Sequence, residues 1–263
     1  MNNFVCIVKV EFFKIVARKS WWMVLGLVVI VQPLLAMMSA SELVKIGLDA
    51  SPATHPDLVQ AIPPLEYLGF DDIVPFGLLP MVVLGGLIGA SEYRNHNLRV
   101  TLLCCSHRIS VFMAKLIAIL TSITIISFLS IYLTIMVTHA KLGALGLNPF
   151  TLSPITWAFI AYSILTWMLL TLLAFSIGML SRNAIVPFIF LIPQIYGLAH
   201  YVASKWSLGE YLPVTAGELL MASPTNTLSH DPIKGGFILG AWTILLLLGA
   251  MYSFVRRDVG GAY

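Results

Sequence analysis

Long apolar runs alternate with short polar segments along the chain. Crossing the hydrocarbon core of a bilayer takes roughly 20 mostly apolar residues in a helix. Six stretches satisfy that rule: Trp21 to Ala40, Ile73 to Ser91, Leu116 to Thr138, Pro154 to Leu180, Ala184 to Ala203 and Gly236 to Val255. Prolines 33, 75, 80, 187 and 193 fall within these stretches. A membrane helix tolerates them as kinks when neighbouring groups satisfy the freed backbone. None of the six contains Asp, Glu, Lys or Arg. The pattern predicts an all-α integral membrane protein of six transmembrane helices.

Residues 1–20 break the apolar rhythm with Lys9, Glu11, Lys14, Arg18 and Lys19. They therefore lack the continuous apolar core of a cleaved signal peptide. Phe4, Val8, Phe12 and Ile15 recur at helical spacing, with Glu11, Lys14 and Arg18 on another face. This predicts a helix lying in the membrane interface, with Trp21 and Trp22 at headgroup level; a generic basic anchor fits the charges equally well.

Composition agrees: 59% of the 263 residues are hydrophobic and 10% charged, with mean hydropathy +0.92. Charge then orients the chain. With both termini in the cytoplasm, eleven of the 15 basic residues lie inside, leaving Lys45, Lys141, Lys205 and Lys234 outside. Of the acidic residues only Glu11, Glu92 and Asp258 fall inside. That asymmetry is the positive-inside bias. The expected organisation is an interfacial helix over 1–20, a membrane domain over 21–255 and a cytoplasmic tail over 256–263. Within the domain, 92–115 is a cytoplasmic segment and 41–72 and 204–234 are outer loops. The acidity of those loops would attract a cationic compound, although positive-inside bias alone also produces it.

Missing chemistry narrows the function. Charge-free spans argue against a proton-coupled carrier, though not against a sodium site of hydroxyls and carbonyls. Thr121, Ser122, Thr124, Ser127, Ser130 and Thr134 could line such a path, or simply hydrogen-bond between helices. The histidines form neither H-E-x-x-H nor a pair with a G-x-S-x-G serine, so no protease machinery is visible. Cys6, Cys104 and Cys105 all fall on the inner side, where they suit apolar packing better than a disulfide or zinc site. No Gly-Lys pair exists, hence no P-loop. Nothing in the chain points to nucleic acid. If ATP drives this protein, ATP and Mg²⁺ bind another chain.

The segment over 92–115 carries the remaining signal. Leu98, Leu102, Cys105, Ile109 and Phe112 fall on one helical face, and Arg94, Arg99 and Arg108 leave it. A loop that merely fixes topology would have the same composition. The order of residues adds more: Glu92-Tyr93-Arg94, Leu98-Arg99, Thr101-Leu102-Leu103, Ser106-His107-Arg108 and Ala114-Lys115. This order resembles the ABC-2 transporter permease pattern E-Y-R-x-G-T-L-R-x-x-L-L-x-x-P-x-R followed by a lysine. Glu11, Lys14, Arg18 and Trp21-Trp22 near the start, and Phe254 with Arg256-Arg257-Asp258 at the end, are similar to the same family. His96-Asn97 replaces the usual Gly-Thr, and the customary proline is missing around Cys105-Ser106. Those changes would blunt a break between two short helices there.

The resemblance implies a non-catalytic half-transporter in a bacterial plasma membrane. It would pair with a second copy or a homologous permease and with cytosolic ABC ATPase subunits. Glu92, Arg94, Arg99, Arg108, Glu11, Lys14 and Arg18 would couple it to the ATPase. Gly85, Gly86 and Gly89 would provide close dimer packing, and Phe188, Phe190, Gln194, Tyr196 and Gln32 would line the export path. The charge-free, Phe- and Met-rich spans suit an amphipathic antibiotic or antimicrobial peptide. Lipid, polysaccharide or sodium export, and an ion-coupled carrier or channel, are the alternatives.

Overall fold

A computed structural model describes residues 2–55, 58, 61–70, 74–93, 101, 107–148, 150–224 and 230–256. Among these residues the fold is all helix, with no strand. We label the helices α1 (Asn2–Val16), α2 (Lys19–Ile46), α3 (Phe76–Ser91), α4 (Arg108–Leu142), α5 (Pro154–Ser181), α6 (Ile185–Lys205), α7 (Pro213–Met221) and α8 (Pro232–Arg256). Five of them, α2, α4, α5, α6 and α8, are long and apolar enough to cross a membrane. The chain is therefore read as a multi-pass membrane protein. Helix α3, which carries the second apolar run, is shorter.

Neighbour contacts fix the direction of each helix. Val28 meets Ser130 and Gln32 meets Thr134, so α2 and α4 run parallel. Gly85 packs on Thr171 and Gly89 on Phe175, so α3 and α5 are also parallel. Helix α8 joins this second set, with Thr243 on Leu169 and Gly249 on Leu180. Phe112 beside Phe175 and Tyr132 beside Trp157 make α4 antiparallel to α5. Gly86 against Pro187, with 74–78 beside 194–198, makes α6 antiparallel to α3. Direction thus alternates through α2, α3, α4, α5, α6 and α8. The start of α2, the start of α4 and the end of α8 share one end of the bundle.

The prolines shape the helices rather than stopping them. Helix α2 widens into a π-helical turn at Leu27–Val31, just before Pro33, and another at Val74–Leu78 precedes Pro80. A proline ring collides with the carbonyl four residues back, and a wider turn relieves that collision. In the widened register the Gln32 N–H reaches the Leu27 carbonyl. The next donor would be residue 33, which has no N–H. Ser130 on α4 supplies it, donating its hydroxyl to the Val28 carbonyl at 2.6 Å. In α6, Tyr196 and Gly197 leave helical geometry, with Gly197 at φ 99°, and the helix breaks there. That conformation favours glycine.

Several boundaries differ from the sequence pattern. Nothing in 108–115 breaks a helix, so the third apolar run is entered from Arg108, and Lys115 lies inside α4. The charge-free stretch 116–138 is thus the interior of a longer helix that also carries Arg108, Lys115 and Lys141. The stripe over 98–112 is not continuous either, since Ile109 is exposed while Phe112 is buried; Leu98, Leu102 and Cys105 lie outside the described residues. Cys6 is exposed rather than packed, and Cys104 also lies outside the described residues. On α1, Ile15 is buried while Phe4 is not, because the docked face turns toward α4. Within 204–234 the chain folds back: α7 lies against α5 and α8, with Gly217 facing Thr166, Leu170 and Leu239. The Trp242 indole N–H, well inside α8, donates to the Tyr211 carbonyl at 2.8 Å.

Close backbone approach holds α3 on α5. A Cβ at Gly89 would stand 2.2 Å from the Phe175 carbonyl oxygen, whereas one at Gly240 would meet nothing within 4 Å. Gly89→Val is expected to cut the folded yield and lower the thermal midpoint, and Gly240→Ala to leave both nearly unchanged. Fluorescence-detected size-exclusion chromatography with a heating series reads the contrast.

Candidate functional site

A charged cluster forms where α1, the end of α3 and the second turn of α4 meet. Sequence separation hides it: Glu11, Glu92 and Lys115 come from three distant stretches. The Lys115 ammonium donates to Glu11 Oε2 at 2.5 Å and to Glu92 Oε1 at 2.6 Å. All three residues are at most 2% exposed. Lys14, one turn along α1, donates to the other Glu11 oxygen at 2.6 Å and to Thr101 Oγ1 at 2.9 Å. Both carboxylates also act on the Arg18 guanidinium, whose Nε donates to the Lys14 carbonyl at 3.2 Å.

Helical spacing explains how α1 reaches this point. Residues three and four apart share a face, so Glu11, Lys14, Ile15 and Arg18 turn together toward α4. Burial alone would raise the Glu11 carboxyl, but Lys115 and then Lys14 outweigh it and hold the group below its ordinary 4.5. Its pairing therefore stabilises the docked α1 above pH 4.5 and is lost as pH falls through the lower folded value. Glu92 Oε2 is buried with no hydrogen-bond partner among the described residues.

The surface around this cluster is basic. Lys19, Arg182 and Arg256 are exposed and Lys14, Arg18 and Arg108 are half-exposed, while Glu11 and Glu92 are sealed inside. Arg182 sits over the Tyr93 ring at 4.9 Å. Arg108 donates to the Val255 carbonyl at 3.0 Å, a cation at the C-terminal end of α8 where the helix dipole favours it.

The structure thus gathers Glu11, Lys14, Arg18 and Glu92 into one network and sets Arg108 apart on α8. Arg94 and Arg99 lie outside the described residues. Glu11 and Glu92 face inward, so their charge is not on the surface a partner would meet. Gly85, Gly86 and Gly89 spend their small faces within the chain, on Thr171, on Pro187 and Phe188, and on Phe175. Of the expected path residues, Gln32 borders Gly77 in the 74–78 turn, which the 194–198 turn also contacts. Gln32 is buried and donates to Thr134 Oγ1 at 3.2 Å; Gln194 is buried and donates to the Phe190 carbonyl at 2.8 Å. Tyr196 is 67% exposed, and Phe190 borders Trp242 on the outside. Phe188 packs beside Gly86.

Lys115, in the sequence only a lysine opening the third apolar run, is the centre of this cluster. The signal was the pair of inner carboxylates, Glu11 and Glu92, which need a buried cation once both helices pack. Among the described residues no group of three His, Cys, Asp or Glu side chains is placed to hold a metal. No protein-family model matches the chain, and no curated protein or solved structure is significantly similar to it.

Breaking a buried ion pair costs about 3–5 kcal/mol, because the partner charge is left unpaired. Lys115→Met, which strips Glu92 of its ion pair and leaves Glu11 with Lys14 alone, is expected to destabilise the protein by that order and more than Glu11→Gln does. The combined Glu11→Gln, Glu92→Gln, Lys115→Met variant should recover much of the loss. Thermal unfolding of the detergent-solubilised variants measures the series, and equal losses in single and triple variants would contradict the network.

Proposed function

We propose that the chain is the permease subunit of an ATP-driven exporter of the ABC-2 type, working in a bacterial plasma membrane. The observation that carries this reading is Lys115 clasping Glu11 and Glu92. One lysine joins the interfacial helix and the head of the 92–115 segment to the interior of α4. A push on that segment from the cytosol would move all three elements together. The alternating helix directions support six spans with both termini inside, α3 being the shorter second span. The basic surface around the cluster supports docking of an acidic groove on a cytosolic ATPase.

In this reading ATP and Mg²⁺ are held by the partner ATPase, and a second copy of the chain or a homologous permease completes the transporter. With Gly85, Gly86 and Gly89 occupied inside the subunit, that second copy meets the exposed apolar faces of other helices. The exported compound is amphipathic, an antibiotic or antimicrobial peptide, a reading supported by the mainly aliphatic and aromatic side chains that the long helices expose.

A buried lysine between carboxylates also suits an ion-coupled carrier, whose proton relays use such groups. Its position at the bundle end and its double pairing favour a structural clasp over a relay in mid-membrane.

Co-expression with a cytosolic ABC ATPase from the same bacterium should yield a complex with vanadate-sensitive ATP hydrolysis that the chain alone lacks. The complex should raise tolerance to a hydrophobic or cationic antimicrobial, and Arg182→Glu with Lys19→Glu should weaken ATPase binding at least about tenfold. Ion-gradient-driven transport by the lone chain in liposomes without ATP would sink the exporter reading in favour of the carrier. ATP-dependent movement of lipid or sodium without any antimicrobial effect would overturn the substrate alone.

A further inference from the structure

The end of α4 away from the clasp carries a buried histidine that the exporter reading does not use. His139 is 1% exposed and lies in the last turn of the helix, which ends at Leu142. Its Nδ1 accepts the Leu147 N–H at 3.3 Å, so the chain leaving α4 folds back onto the ring. Gly143, at φ 59°, makes that reversal possible. The turn is tight: the Gly146 N–H donates to the Gly143 carbonyl at 3.1 Å, and a Cβ at Gly146 would stand 2.4 Å from the His139 carbonyl oxygen. Leu147 packs half-buried against the core.

The contact fixes the state of the ring. A ring nitrogen that accepts a hydrogen bond carries no hydrogen, so the imidazole is neutral and its one hydrogen is on Nε2. Nε2 is itself buried with no hydrogen-bond partner among the described residues. The surrounding elements offer no charge to hold a second proton. On α4 itself Tyr132 and Lys141 flank the position in sequence, and α2 presents Glu42 and Lys45, which pair with each other. From α5 comes only Tyr162, from 47–55 Asp49 and His55, and from 61–70, whose Gly69 packs on Thr138, Glu66 and Tyr67. None of these charges acts on the His139 ring.

We propose that His139 is a proton-operated latch on the 143–148 turn, closed while the ring is neutral and released when the ring takes up a proton. A protonated imidazole has two N–H donors and no acceptor. It would lose the Leu147 N–H and leave a charge with two unmet donors among buried side chains, and parting the turn from the ring to admit water is the available relief. The closed state therefore favours the neutral ring, whereas the released ring titrates near the ordinary histidine value of about 6.5. Closure is strongest above that value and is lost as pH falls below it. The latch needs no ATPase, so its test stands apart from the exporter reading.

Hydrogen–deuterium exchange of the full-length protein in nanodiscs, at pH 8 and pH 5 and corrected for intrinsic exchange, reads the latch at the Leu147 amide. In the wild type that amide is expected to lose protection at least about tenfold at pH 5, while amides in the middle of α5 keep theirs. His139→Gln, whose side-chain oxygen can accept the same N–H but does not titrate, should be protected at both pH values. His139→Leu, which has no acceptor, should be unprotected at both. Glu66→Gln and Lys141→Met should retain the wild-type pH dependence. Equal wild-type protection at both pH values would overturn the proposal, as would a parallel loss in α5 or the same pH-dependent loss in His139→Gln. If His139→Gln does not fold, His139→Asn takes its place, and the wild-type series alone still decides.

Discussion

The pairing of Lys115 with Glu11 and Glu92 is the constraint on which one end of this molecule depends. Two carboxylates and an ammonium have been taken out of water, and each is tolerable only because the others are there. Without Lys115, Glu92 loses its ion-pair partner and Glu11 keeps only Lys14. The same contact brings together three parts of the chain that local forces would leave apart: α1, the end of α3 and the second turn of α4. Phe112 and Ile15 are buried close by, so apolar packing completes what the charges align.

Elsewhere the bundle is held by close approach rather than by charge. In a membrane the lipid is as apolar as leucine, so helices associate where small residues let backbones touch and where hydroxyls reach across. Gly85 and Gly89 let α3 settle onto carbonyls of α5. Ser130 answers a carbonyl of α2 that Pro33 leaves without a donor, and the proline kink and the α2–α4 contact are thus one feature. The cost of the kink is met by a side chain of another helix.

The charges of the clasp also set the character of its surroundings. Cations hold Glu11 low and ionised, and the element it carries is fixed at neutral pH. The surface around the clasp is basic, since its acids are turned inward.

The sequence by itself determined the class of the protein. Apolar runs of spanning length, set between charged segments, have no stable place except a bilayer, and the helix is the form that satisfies their backbone there. Helical spacing also put Glu11, Lys14 and Arg18 on one face of α1. What it left open depended on contacts between residues far apart in the chain. Periodicity cannot say that Lys115 lies between carboxylates 104 and 23 positions away, nor that the glycines of α3 are used inside the subunit. Nor could it foresee the break at Tyr196-Gly197, or which helices α7 packs between. Those outcomes follow from which surfaces fit together once the helices pack, and only the tertiary structure decided them.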